Sequence, residues 1–201
     1  MGAITTILTS LSRTITAGIV LLVAIIILVG LITGQWISLK SPGWWAFFMR
    51  WLHVISGVMW IGLLWYFNFV QIPTVPKIEP VEHRAAITKF IAPEALFWFR
   101  YGALATVVTG LILAHQMGYL PDALIFRKYP AIGIGMWLAL IMAFNVWFII
   151  WPNQQKALGL VDYPAERKPE AARTAMLTSR LNTALSIPML FCMVAQQNAG
   201  L

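Results

Sequence analysis

Charged residues break this chain at wide intervals, and the stretches between them are long and apolar. No Asp, Glu, Lys or Arg stands between Arg13 and Lys40, a run of 26 residues. Runs of 26, 21, 27 and 21 residues follow, from Arg50 to Lys77, Arg100 to Asp122, Lys128 to Lys156 and Arg180 to the C-terminus. A helix crossing the hydrocarbon core of a bilayer needs about 20 mostly apolar residues. The pattern therefore predicts five transmembrane helices over about residues 14–36, 44–70, 94–117, 131–151 and 174–197. The first has an apolar core, Ala17 to Ile32, longer than a signal-peptide core, and no small-residue cleavage site follows it. It is expected to stay as a membrane helix.

The connections on one side carry helical signals of their own. Pro80–Ile91 has helix-compatible spacing and mixed charge, and Pro93-Glu94 offers a good start for the third helix. Pro164–Arg173 reads as a helical lead-in to the fifth. Trp36, Trp44, Trp45, Trp51, Trp147 and Trp151 fall near span ends, where amphipathic rings favour the membrane interface.

Composition agrees with the pattern. Sixty per cent of the 201 residues are hydrophobic and 10% are charged, against about 25% charged in soluble domains. A water-soluble globule and a disordered chain are both excluded. The net charge of +7 does not point to nucleic acid, because basic residues in so apolar a chain belong in loops facing anionic lipid. Arg13, Lys77, Arg84, Lys89, Arg100, Lys156, Arg167, Lys168, Arg173 and Arg180 fall on one side; Lys40, Arg50, Arg127 and Lys128 fall on the other. The positive-inside rule then places the N-terminus in the cytoplasm and the C-terminus in the periplasm of a bacterial inner membrane. Cys192 is the single cysteine, which excludes an internal disulfide and a CxxCH haem attachment.

The segment Trp60–Asn68 of helix two resembles Trp137–Asn145 of helix four, sharing W-[IL]-[GA]-L-[LI]-x-x-F-N at an offset of 77. Helices three and five align more weakly at an offset of 80, pairing Arg100 with Arg180. Read as a repeat, helices two to five form two parallel hairpins in a four-helix bundle, with helix one added. Coincidence between two apolar helices is the competing reading. The fold class is an all-α integral membrane protein, with residues 1–201 as one membrane domain.

Two of the three histidines lie inside spans, where ionisable groups are rare and usually face the bundle interior. His83 sits in a charged connection and reads as solvated. His53 and His115 are expected at similar depth in the periplasmic half, facing one cavity. On helix two, Arg50, His53, Gly57, Trp60 and Leu64 share a stripe at spacings of three or four. On helix three the stripe through His115 holds Tyr101, Leu104, Val108 and Leu111. A basic residue near the surface, a small residue beneath it and two imidazoles suit a b-type haem, with Arg50 on a propionate. Hydrogen bonding of each histidine to a neighbouring helix fits the same spacing. So does a copper site recruiting Met49, Met59 or Met117. Asn68 and Asn145 are expected to bond between helices, and Pro188 to kink helix five. No acidic residue lies mid-span, which argues against a proton-driven transporter.

The segment Arg50-Trp-Leu-His53-Val-Ile-Ser-Gly57-Val-Met-Trp60-Ile-Gly62, continuing through Phe67-Asn68 to Pro73, resembles the membrane domain of the urate hydroxylase (urate oxidase N-terminal, PuuD-type) family. Fainter similarity extends to copper-resistance D-type and HemJ-type membrane proteins. Those haem-binding relatives imply a ligand role for the position of His53. Longer family members end in a cytochrome c domain, whereas this sequence stops at Leu201 as a short form without CxxCH. The resemblance thus implies a membrane redox role, with a separate membrane or periplasmic electron partner such as a cytochrome c. Three functions stay open: a haem-b redox or electron-transfer protein, a structural or assembly subunit of a larger membrane complex, and a urate or purine oxidase component.

Overall fold

The structure, a computed structural model, describes residues 2–196 and Asn198. The predicted end of the fifth span at residue 197 and the C-terminal Leu201 lie outside the described residues. Among the described residues the chain is helical, without strands. Five helices are long and apolar enough to cross a membrane: α1 Leu11–Thr33, α2 Pro42–Lys77, α3 Val81–Gln116, α4 Pro130–Leu158 and α5 Ala165–Ala195. Short helices at Ala3–Leu8 and Leu120–Leu124 accompany them.

Two compact units divide the chain, residues 1–45 and 46–201. In the first, α1 stops three residues before its predicted end. Gly34 adopts a left-handed conformation at φ 71° and its N–H closes on the Gly30 carbonyl at 2.9 Å. Glycine enters that region without the steric cost of a Cβ. Gly30 has a separate duty: a Cβ there would stand 2.8 Å from the Trp36 ring, which lies against the helix.

In the second unit the helices overrun the predicted spans at the end holding the α2–α3 and α4–α5 turns, here called the basic end. Thirty-six residues of α2 make a rod of roughly 54 Å at 1.5 Å per residue, against a hydrocarbon core of about 30 Å. The extension of α2 to Lys77 was not foreseen, whereas the expected lead-ins over Pro80–Ile91 and Pro164–Arg173 form the starts of α3 and α5. Three π turns lie along these helices, at Tyr66–Gln71, Ile87–Ile91 and Asn145–Ile150. Each π turn ends two residues before a proline: Pro73, Pro93 and Pro152. Proline lacks an N–H and its ring crowds the carbonyl four residues earlier. A locally widened turn accommodates that ring without ending the helix.

The four helices close into a ring. Phe67 meets Phe99 edge-on at 5.6 Å, joining α2 to α3, and Tyr101 meets Trp147 at 5.7 Å, joining α3 to α4. Asn145 donates to Asn182 Oδ1 at 2.8 Å between α4 and α5. Asn68 donates to Ser179 Oγ at 2.8 Å, and Trp65 Nε1 to Ser186 Oγ at 3.1 Å, returning α5 to α2. Both asparagines therefore bond between helices, as their positions predicted. Close approach comes from small residues every fourth position: Gly102, Thr106, Gly110 and Ala114 on α3, Ala131, Gly135 and Ala139 on α4. Lipid tails are as apolar as leucine, so small residues and polar contacts, not an oily stripe, mark a helix–helix seam in a membrane.

Two expectations change here. Arg100 and Arg180 do not occupy matching places, because Arg100 is buried in the bundle and Arg180 is exposed. Trp147 and Trp151 are not outward anchors. Both pack on the core, and the Arg100 Cζ lies 3.2 Å from the Trp151 ring centroid.

Candidate functional site

The end of the bundle opposite the basic end contains a cavity of about 630 Å³ bounded by α2, α3, α4 and α5. Its wall on α2 is the predicted stripe: Arg50, His53, Gly57 and Trp60 all line it. Spacings of three and four put these side chains on one helical face, and Trp60, wholly buried, seals the floor. The wall on α3 is Thr106, Gly110 and Ala114. Met136 of α4 and Met189 and Met193 of α5 complete the apolar lining, and Tyr119 closes the outer end.

His53 is held from one side. Its Nδ1 lies 2.8 Å from the Thr106 carbonyl oxygen. A carbonyl can only accept, so Nδ1 carries the hydrogen and, in the neutral ring, Nε2 keeps its lone pair. Thr109 Oγ1 stands 3.4 Å from the same Nδ1. Gly110 makes room for the ring, since a Cβ there would fall 2.7 Å from His53 Cε1. No bond to Nε2 occurs among the described residues.

Further polar groups reach the cavity. Arg50 lies one turn above His53, with Nη2 3.8 Å from Met117 Sδ. Burial pushes the Tyr119 phenol up, opposed by the Arg50 charge. It therefore remains a protonated hydroxyl at neutral pH. Trp60 Nε1 is buried and has no hydrogen-bond partner. This arrangement can offer one neutral imidazole nitrogen, several thioether sulfurs and a cation at the outer rim. Among the described residues no group of three His, Cys, Asp or Glu gathers to hold a metal ion.

His115 does not join this site. Its side chain is exposed and is not among those bounding the cavity. It follows Gly110 by five residues, which at about 100° per residue turns it roughly 140° away from His53. Tyr101, Leu104 and Val108, assigned to its stripe, are likewise exposed, whereas Leu111 of the same stripe lines the cavity. The expectation of two imidazoles facing one cavity is thus corrected. Of the methionines considered for copper, Met59 and Met117 are exposed and Met49 is not part of the wall. His83 is exposed on the turn Val81–His83, as expected of a solvated residue.

Thr106, Gly110, Tyr119 and the three lining methionines were not singled out as partners of His53 from sequence. The fourfold spacing Gly102-Thr106-Gly110-Ala114 was the available signal, because it marks the inner face of α3.

Residues 123–199 match the family described as urate oxidase N-terminal. The match covers α4 and α5 and does not include the Arg50–Pro73 segment on which the sequence resemblance rested. No curated protein and no solved structure matches the chain.

Proposed function

We propose, from the match of residues 123–199 to the urate oxidase N-terminal family, that this chain is a multi-pass membrane redox protein that would hold haem b in the interhelical cavity, with His53 as an iron ligand. The observation that carries this reading is the one-sided restraint of His53. Its Nδ1–H bonds the Thr106 carbonyl at 2.8 Å, leaving Nε2 as the ligating atom. A backbone acceptor behind a metal-bound histidine fixes its tautomer and raises its basicity.

The remaining donors fit the same group. Arg50 would neutralise a propionate, Gly57 would leave space for a flat ring against α2, and Trp60 would close the apolar floor. A lining thioether, Met136, Met189 or Met193, could serve as a further iron ligand, a ligand type known to accompany histidine on haem iron. When bound, the haem supplies one-electron transfer. The chain's own residues hold it, keep water away and set its potential. With the basic end in the cytoplasm of a bacterial inner membrane, the cavity lies in the periplasmic half, within reach of a membrane or periplasmic partner such as a cytochrome c.

The reduced-minus-oxidised absorption spectrum of the purified full chain, expressed with haem supplied, tests this. A b-type spectrum is expected. Its absence would reject the haem reading, and metal analysis would then address copper, the alternative cofactor. The exposed ring of His115 favours a second reading, a subunit of a larger membrane complex without its own cofactor. That reading requires a featureless spectrum.

A further inference from the structure

We propose that Arg100 and Trp147 form an oxyanion site in the basic-end half of the bundle, taking a phosphate-type group. Arg100 is only 9% exposed and lies six residues into the bundle from Glu94, about 9 Å at 1.5 Å per residue. Its Nε and Nη1 are buried without a hydrogen-bond partner, and so is Trp147 Nε1. The Arg100 Cζ stands 5.8 Å from the Trp147 ring centroid, so the two side chains that carry the orphaned groups are neighbours. Every one of them is an N–H donor.

Among the described residues no acidic group pairs with Arg100. The ion pairs among the described residues are Arg84–Glu79, Arg127–Asp122, Lys128–Asp122 and Arg167–Glu170, and none involves Arg100. A guanidinium cannot lose its proton or accept a hydrogen bond, and burying it unpaired is costly. The Trp151 ring, 3.2 Å from Cζ, covers a face of the cation electrostatically. Its π cloud leaves the orphaned Nε and Nη1 hydrogens unbonded. Donors that cannot relax by deprotonation select an anion, and the guanidinium fork matches the geometry of an oxyanion.

Lys77, Lys89, Lys156, Arg167, Lys168 and Arg173 lie at the same end. They raise the local concentration of anions, including acidic lipid headgroups. The phosphate group can therefore come from two sources: the headgroup of an anionic phospholipid drawn inward between helices, or free phosphate. Both present the same chemistry to Arg100 and Trp147.

Two binding measurements on the full chain in nanodiscs separate the sources. In discs of zwitterionic lipid, equilibrium dialysis with labelled inorganic phosphate reads the free anion. In discs containing phosphatidylglycerol and no phosphate, native mass spectrometry reads the lipid retained. Saturable binding in either measurement supports the site and identifies its source. Trp147→Phe keeps the ring and removes the N–H, so affinity should fall about tenfold or more, as for loss of a hydrogen bond to a charged group. Arg100→Gln should abolish binding, and Arg180→Gln, at an exposed arginine of α5, should leave it unchanged. Absence of binding by the wild type in both measurements would overturn the proposal. So would a Trp147→Phe variant that binds as the wild type does.

Discussion

The two halves of the four-helix bundle are made from the same helices and hold themselves together differently. At the basic end, Leu64, Phe67, Phe99, Met142 and Val146 pack as one buried cluster. Asn68–Ser179, Trp65–Ser186 and Asn145–Asn182 stitch the helices across that core. At the opposite end the walls are Gly57, Gly110 and Ala114, and a cavity of about 630 Å³ remains between them. Small residues without a large partner across the seam leave space. Small residues filled by a neighbour, such as Gly102 against the Trp60 backbone, bring helices into contact. One half serves as clamp and the other as receptacle, with Trp60 at the boundary.

Removing the boundary should have the largest effect on stability. Trp60 is fully buried, and Trp60→Ala is expected to cost about 3–5 kcal/mol, the usual range for deleting a buried aromatic. Reversible unfolding in mixed micelles measures this. A cost below about 1 kcal/mol would mean that the two halves are not joined through this ring.

Filling the receptacle comes next. Gly110→Ala sets a Cβ 2.7 Å from His53 Cε1, so the ring must move off the Thr106 carbonyl. Overpacking of this kind costs about 1–3 kcal/mol. The same unfolding assay gives the energy, and the shift of the His53 ring-nitrogen resonances reports the lost bond. An unchanged His53 signal would show that Gly110 does not set the position of the ring.

Cutting a stitch should cost least. Asn182 accepts from Asn145 and donates to the Met142 carbonyl at 2.9 Å, fully buried. Such bonds between membrane helices are typically worth about 0.6 kcal/mol and at most about 1.7. With two bonds lost, Asn182→Ala should destabilise by about 1–2 kcal/mol. His115→Ala, at an exposed site, is the control and is expected to stay within about 0.5 kcal/mol. Equal costs at the two positions would mean that the stitches do not distinguish the clamped half.

The spans, the helical lead-ins and the α2 face of the cavity were legible in the sequence. Charge-free runs report bilayer crossings directly. On α2, Arg50, His53, Gly57 and Trp60 differ enough in chemistry from their neighbours for spacing alone to expose the stripe. The α3 face was misread because its large apolar positions, Tyr101, Leu104 and Val108, were taken as the inner stripe. In water that inference is sound, but against lipid large apolar side chains face outward and small ones face the neighbouring helix. His115 followed them outward. Arg100 was equally illegible: a cation six residues from Glu94 reads as a helix-end charge, and only the inward turn of Trp147 and Trp151 shows it to be buried. The π turns, by contrast, have a sequence cause in Pro73, Pro93 and Pro152, visible once the helices are seen to continue through them.

The central claim is that one histidine, His53, presents its Nε2 to the cavity while His115 stands outside it. Reduced-minus-oxidised spectra of His53→Ala and His115→Ala, recorded side by side at equal protein, test this most directly. The account predicts that His53→Ala loses the b-type spectrum and that His115→Ala keeps it at wild-type intensity. A spectrum lost with His115 and retained without His53 would contradict it.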